Sequence, residues 1–279
     1  MSETATVSQA ERGRIFRALH ERNEAFIIPN PWDAGTARIL AHLGFEALAT
    51  TSMGYAFSLG QRDGSLSRDQ ALAGASAIAS ATKLPVSADL ENGFGDAPEV
   101  VAETIRLAAA AGLVGGSVED ATGRPDDPIY GIPAAVERVR AAVEAARALP
   151  FPFTLTARAE NYLHGRPDLA DTIKRLQAYQ EAGADVLYAP GLATKDDIVA
   201  VVASVDRPVN ALMGLHGVQL SVAELSAIGV RRVSVGSALN RTALGAFLRA
   251  AREMRESGTF TFAGEAARSG ELTAIFSND

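Results

Sequence analysis

Asp89 and Glu91 stand one residue apart, where the apolar run 84–88 gives way to acids and glycines. Gly93 and Gly95 follow, then a helical pattern. Buried parallel strands that end in this way deliver charged groups to the carboxyl edge of a sheet. The glycines let the backbone turn sharply and let a ligand or metal come close. The same grammar recurs along the chain. Apolar runs end in Asn30 and Asp33, in Thr51, Ser52 and Met53, and in Glu119 and Asp120. Others end in Arg158 and Glu160, in Asn210, and in Ser237 with Asn240. Gathered on one face, several carboxylates with the single arginine Arg158 repel one another unless a cation neutralises them. With no cysteine and four histidines, oxygen ligands dominate. Such a set suits a hard cation, Mg²⁺ or Mn²⁺, held largely through waters. Bound to a keto acid, that cation is a Lewis acid for a developing enolate. Arg158 is the residue to fork onto a carboxylate. A structural reading competes at some positions: Asp33 precedes a helical pattern and is a good N-cap type.

A repeat of strand and helix positions these residues. Apolar runs at 26–28, 45–49, 84–89, 114–118, 153–157, 186–189, 209–212 and 233–235 read as eight strands. Helical patterns at 34–43, 67–82, 98–111, 133–148, 169–182, 195–204, 222–228 and 239–256 alternate with them, and one more, 11–22, precedes them. Gly44, Gly112, Gly183 and Gly229 each stop a helix just before a strand. Eight such units without hairpin signals predict a single-domain (β/α)8 TIM barrel over residues 11–256. Residues 1–10 are expected to be a flexible N-terminus, and 257–279 a tail packed on the barrel or on a partner subunit. An open doubly wound sheet is the main alternative.

Composition closes off other functions. The formal charge of −7 argues against nucleic acid and against anionic membrane surfaces as partners. No run approaches the ~18 apolar residues of a membrane span. The polar start lacks an apolar signal core, so a cytoplasmic protein is expected. Without cysteine there is no disulfide, thiolate site or thiol nucleophile. The lysines, Lys83, Lys174 and Lys195, avoid the ends of the predicted strands. A Schiff-base mechanism is therefore not expected. His20 and His42 read as surface helix positions. His164 and His216, after the fifth and seventh strands, are either proton carriers or plain loop residues.

Taken in order, these segments resemble the isocitrate lyase/phosphoenolpyruvate mutase superfamily over roughly residues 10–255. Residues 30–38, Asn-Pro-Trp-Asp-Ala-Gly-Thr-Ala-Arg, look like its first strand–helix crossing. Thr51, Ser52 and Met53 stand where the family binds a substrate carboxylate. Leu59-Gly60-Gln61-Arg62-Asp63 resembles a Leu-Gly-x-Arg-Asp segment that puts Asp63 near the metal's waters. Asp89 is matched to the second acid of the family's Asp-x-Asp, Gly-aromatic-Gly metal motif. On that frame Ser87 replaces the first aspartate, two extra residues precede Gly93, and Glu91 is an uncertain substitute ligand. Glu119 matches a metal-water carboxylate and Arg158 a substrate contact.

The resemblance implies a Mg²⁺-dependent lyase or decarboxylase that acts on a small 2-keto or 2-hydroxy carboxylic acid through an enolate. Asp63, Asp89 and Glu119 would hold the metal, with Glu91 uncertain. Arg158, Asp63 and Glu119 would be catalytic. Thr51, Ser52, Met53, Arg158 and Asn210 would bind substrate, under a closing loop 121–132. Two departures narrow the chemistry. Residues 121–127 lack the Lys-Lys-Cys-Gly-His loop of the isocitrate lyases, and Pro190 replaces a mutase histidine. The alternatives are a C–P hydrolase or phosphonomutase on a phosphonopyruvate-like substrate, and a non-catalytic keto-acid-binding barrel. Glycines at 214, 217 and 236 leave open a phosphate subsite at the last two units. An amphipathic last helix, exchanged between subunits in the family, implies a homodimer or homotetramer.

Overall fold

The computed structural model describes residues 7–215 and 217–277, so His216 and the stretch 1–6 lie outside the described residues. Eight strands run parallel: β1 (Phe26–Ile28), β2 (Leu48–Ala49), β3 (Val86–Asp89), β4 (Gly115–Glu119), β5 (Thr154–Arg158), β6 (Val186–Tyr188), β7 (Val209–Leu212) and β8 (Arg232–Ser234). Their order is β1-β8-β7-β6-β5-β4-β3-β2. The Ala49 N–H donates to the Pro29 carbonyl at 3.1 Å, which returns β2 to β1 and nearly closes the ring. The sheet is the predicted (β/α)8 barrel.

The helices are α1 (Gln9–His20), α2 (Ala34–His42), α3 (Ser52–Ser58), α4 (Arg68–Ser80), α5 (Pro98–Ala110), α6 (Ile132–Arg147), α7 (Leu169–Glu181), α8 (Lys195–Ala203), α9 (Val222–Ala227), α10 (Ala238–Ser257) and α11 (Ser269–Ser277). Local chemistry sets their starts. Asp33, Ser67, Thr194 and Ser221 each close a capping box, and Pro98 opens α5. Asp33 is thus a cap on α2 and not a site acid. Two helices were not foreseen. The short α3 follows β2 directly, and α11 lies in the tail. That tail returns to its own barrel: α11 packs against α2, and Arg38 Nη2 donates to the Phe276 carbonyl at 2.8 Å. β1 and β7 lie where predicted, the other strands have one or both ends shifted by one to three residues, and β8 begins at Arg232 instead of residue 233.

Helix α1 plugs the starts of the strands. Phe16 and Leu19 are buried there with Phe26, Ile28, Ala47 and Val114. Gly13 makes this contact possible, since a Cβ on it would sit 2.3 Å from the Pro152 carbonyl oxygen. His20 belongs to this plug and not to the surface. It is 6% exposed, with edge-on contacts to Phe16 and Phe26 at 4.8 and 5.0 Å. Burial first, and then the charge of Arg232, push its pKa down to about 3.

A neutral buried histidine costs stability in acid. Above the ordinary histidine range its contribution is complete; it is lost as pH falls from about 6.5 toward 3, because the unfolded chain takes the proton first. Between pH 7 and pH 4.5 the parent should lose about 2–3 kcal/mol more than His20→Phe in urea unfolding. Parallel losses in the two proteins would refute the neutral histidine.

Among the described residues no helix is long and apolar enough to cross a membrane.

Candidate active site

The carboxyl ends of the strands open into one cavity of about 1110 Å³. Arg158, the last residue of β5, stands at its centre. Its Nη1 donates to Asp89 Oδ1 at 2.9 Å, and its Nη2 meets Glu119 at 3.1 Å and Glu160 at 2.8 Å. Nε donates to Glu160 at 2.9 Å. Among the described residues nothing accepts the second Nη1 hydrogen, which is left for a ligand oxygen. The guanidinium also lies 5.2 Å from the ring centroid of Tyr188. Register explains the gathering: Glu119 pairs with Arg158, and Arg158 with Tyr188, so all three side chains share the inner face.

Asp89 ends β3 and is tied on both oxygens. Oδ2 accepts from the Ser52 N–H at 3.1 Å and from its hydroxyl at 2.8 Å. The Thr51 hydroxyl accepts from Gly54 N–H at 3.2 Å and caps α3. Both hydroxyls expected to meet substrate are therefore engaged within the protein, though each residue lines the cavity beside Met53. Asp63 also lines it. Asn210 is 2% exposed and joins Arg232 to Ser234.

The frame placed on the third strand needs correction. Ser87 lies one pleat deeper, 4% exposed, paired with Gly115. It is Asp89 and Glu91 that reach the mouth. Asp89-Leu90-Glu91-Asn92-Gly93-Phe94-Gly95 itself reads acid-x-acid-x-Gly-aromatic-Gly, with no insertion and no missing first acid. Glu91 has φ 47 and Phe94 φ 61, a left-handed conformation that side chains resist. The buried Arg138 of α6 holds this turn, donating to the carbonyls of Gly95, Asn92 and Asp96. The loop 121–131 is fastened to the same turn through Arg124, 2.8 Å from Asp96.

Acids outnumber cations at the mouth, and their titration reflects it. Glu91 is pushed up to about 7, by burial and then by Asp89 and Asp63. Asp63 is raised by burial and by Asp89. Glu119 is raised well above the carboxylate range, chiefly by burial, although Arg158 opposes this. Glu91 Oε1 is buried without a hydrogen-bond partner among the described residues. This orphaned oxygen, within an all-oxygen acidic set, fits a hard divalent cation. Among the described residues no three acids or histidines converge closely enough to ligate an ion directly, so waters would complete its shell. Asp89 keeps lone pairs for this purpose, since each oxygen of an ionised carboxylate accepts more than one bond.

Several side chains lie elsewhere than their sequence positions suggest. Asp120 faces away from the mouth, between β4 and α7, where Arg175 meets it at 3.0 Å and Tyr179 at 2.5 Å. Its neighbour Glu119 turns inward, as strand alternation requires. His164 lines the cavity at its exposed edge. Arg158 is not the single arginine: Arg68 also lines the cavity, and Arg232 lines its floor. The signal for it was Arg232 and Ser234 at alternate positions of one strand.

Residues 16–255 match the family model for phosphoenolpyruvate phosphomutase. The chain belongs to the phosphoenolpyruvate mutase/isocitrate lyase superfamily. A proposed lyase/mutase from Burkholderia cenocepacia J2315 superposes with a TM-score of 0.94 at 66% identity, covering 96% of each chain. An oxaloacetate decarboxylase of Chromohalobacter salexigens is 30% identical over 259 residues, 90% of this chain and 88% of its own. The structure of phosphonopyruvate hydrolase in complex with oxalate and Mg²⁺ superposes with a TM-score of 0.84 at 25% identity, covering 96% of this chain and 95% of its own.

Proposed function

We propose that the protein is a Mg²⁺-dependent lyase or decarboxylase that breaks a bond beside the carbonyl of a small 2-keto or 2-hydroxy carboxylic acid. The observation that carries this reading is Arg158 set among Asp89, Glu119 and Glu160, beside the unpartnered oxygen of Glu91. The superfamily's lyases and the oxaloacetate decarboxylase relative support it. Asp89, Glu91, Asp63 and Glu119 would hold the ion. When bound, Mg²⁺ supplies Lewis-acid polarisation of the keto oxygen.

The chain's own residues do the rest. Arg158 donates through Nη1 to the substrate carboxylate, and Glu119 and Glu160 fix the guanidinium's plane for that contact. Ser52 holds Asp89 in its rotamer. The loop 121–131, fastened to the turn that carries Glu91, excludes water from the cavity. A cytoplasmic location belongs to this reading.

A panel of 2-keto acids, assayed with Mg²⁺ and with a chelator, tests it. Carbon dioxide or a carbonyl product should appear only with the metal. The phosphonopyruvate hydrolase neighbour favours a second reading, C–P cleavage, which phosphate release from phosphonopyruvate would establish in place of the first.

We also take α10 to be an intersubunit helix. It buries only Asn240 and exposes Phe247 (69%) and Leu248 (50%). Light scattering at micromolar concentration should give a homodimer or homotetramer; a monomer would contradict this.

A further inference from the structure

Arg232 has no acid. It is 5% exposed, and its donors go to neutral acceptors: Nε to Asn210 Oδ1 at 2.9 Å and Nη1 to Thr156 Oγ1 at 3.0 Å. Among the described residues no carboxylate pairs with it, whereas the half-buried Arg158 and the buried Arg175 both have acids. Its Nη2 has no hydrogen-bond partner among those residues, yet it is not a sealed orphan, and the side chain lines the cavity. A buried guanidinium left without a counter-charge is costly. Burial pushes its pKa down to about 10, so it remains charged at neutral pH.

Its placement relative to Arg158 matters as much as its charge. Arg158 pairs with Tyr188, Tyr188 with Asn210, and Asn210 with Arg232, in consecutive register across β5 to β8. All four line the same cavity. Three strand spacings separate the two arginine backbones, roughly 14 Å along the wall at about 4.8 Å each. Both side chains line the one cavity from strands on different sides of the barrel. The wall between them is polar and uncharged: Asn210 Nδ2 donates to Ser234 Oγ at 2.9 Å, beside Tyr188.

We propose that Arg232, with Asn210 and Ser234, forms a second anion subsite on the cavity floor, which takes the distal acid group of a dianionic 2-keto or 2-hydroxy acid. This rests on the keto-acid reading of the mouth.

Calorimetry in Mg²⁺ tests the subsite, with oxalate, lactate, malate and phosphonopyruvate as probes. The parent should bind malate or phosphonopyruvate at least about tenfold more tightly than lactate, as one charge-assisted contact provides. The tighter of these two identifies the distal group. Arg232→Gln should erase that margin while lactate binding moves by less than about threefold, and Arg232→Lys should keep part of it. Should Arg232→Gln fail to fold, the parent's own margin and the lysine variant decide. A parent that binds lactate and malate equally, or a variant that weakens both alike, overturns the subsite and leaves the mouth intact. A parent that binds none of the four probes overturns the keto-acid reading itself.

Discussion

Replacing Arg158 by alanine should lower turnover of the preferred keto acid by about a thousandfold or more, which corresponds to about 4 kcal/mol of lost stabilisation. Oxalate binding should fall with it, because Nη1 of Arg158 is the donor proposed for the ligand's carboxylate. The same change should destabilise the fold. Asp89, Glu119 and Glu160 would lose their shared partner, and breaking a buried pair costs about 3–5 kcal/mol. Those acids can escape by taking protons, so the loss should be larger at pH 8 than at pH 5. Arg158→Lys should rescue stability better than activity, since an ammonium cannot bridge three acids and a ligand in one plane. Denaturant unfolding at the two pH values, beside steady-state rates, separates the two effects. Unchanged rates in Arg158→Ala would remove the residue from the substrate site.

Glu91→Gln should move stability and activity in opposite directions. In the metal-free protein Glu91 is an acid with a raised pKa, about 7. The folded state therefore holds a proton that the unfolded chain has released, and stability falls as pH rises from about 4.5 to 7. Glutamine removes this penalty. The metal-free variant should be more stable than the metal-free parent at pH 8, by an amount on the order of 2–3 kcal/mol, and equal to it at pH 4. Turnover should nevertheless drop about a hundredfold or more, with a higher Mg²⁺ requirement. Thermal melts of chelated protein and Mg²⁺ titrations of activity check the two halves. A variant less stable than the parent at pH 8 would contradict the unneutralised carboxylate.

The strand tips were legible because parallel strands write themselves as apolar runs that stop at polar residues. Depth along a strand was less legible. Ser87 and Asp89 have the same spacing as Asp89 and Glu91, and only the ladder with β4 shows which pair reaches the mouth. Asp120 looked like a partner of Glu119, yet successive side chains face opposite sides, and its acid serves Arg175 and Tyr179. Arg232 sits at the edge of an apolar run, where a charge reads as the end of a loop. Its inward direction followed from β8 starting one residue earlier. His20 looked like a polar helix position, but the helix lies across the base of the barrel and turns it inward. Each of these misreadings concerned direction and not residue type. Local pattern names the chemistry available, and the closed sheet decides which side chains meet.

The central claim is that the acids around Arg158 form a cation-dependent carboxylate site. Calorimetric titration of oxalate into the parent, with Mg²⁺ and with chelator, tests it most directly. Oxalate should bind in Mg²⁺ and show no measurable heat in chelator, because the metal-free mouth is acidic and repels a dianion. Binding of equal strength under both conditions, or none under either, would contradict the account.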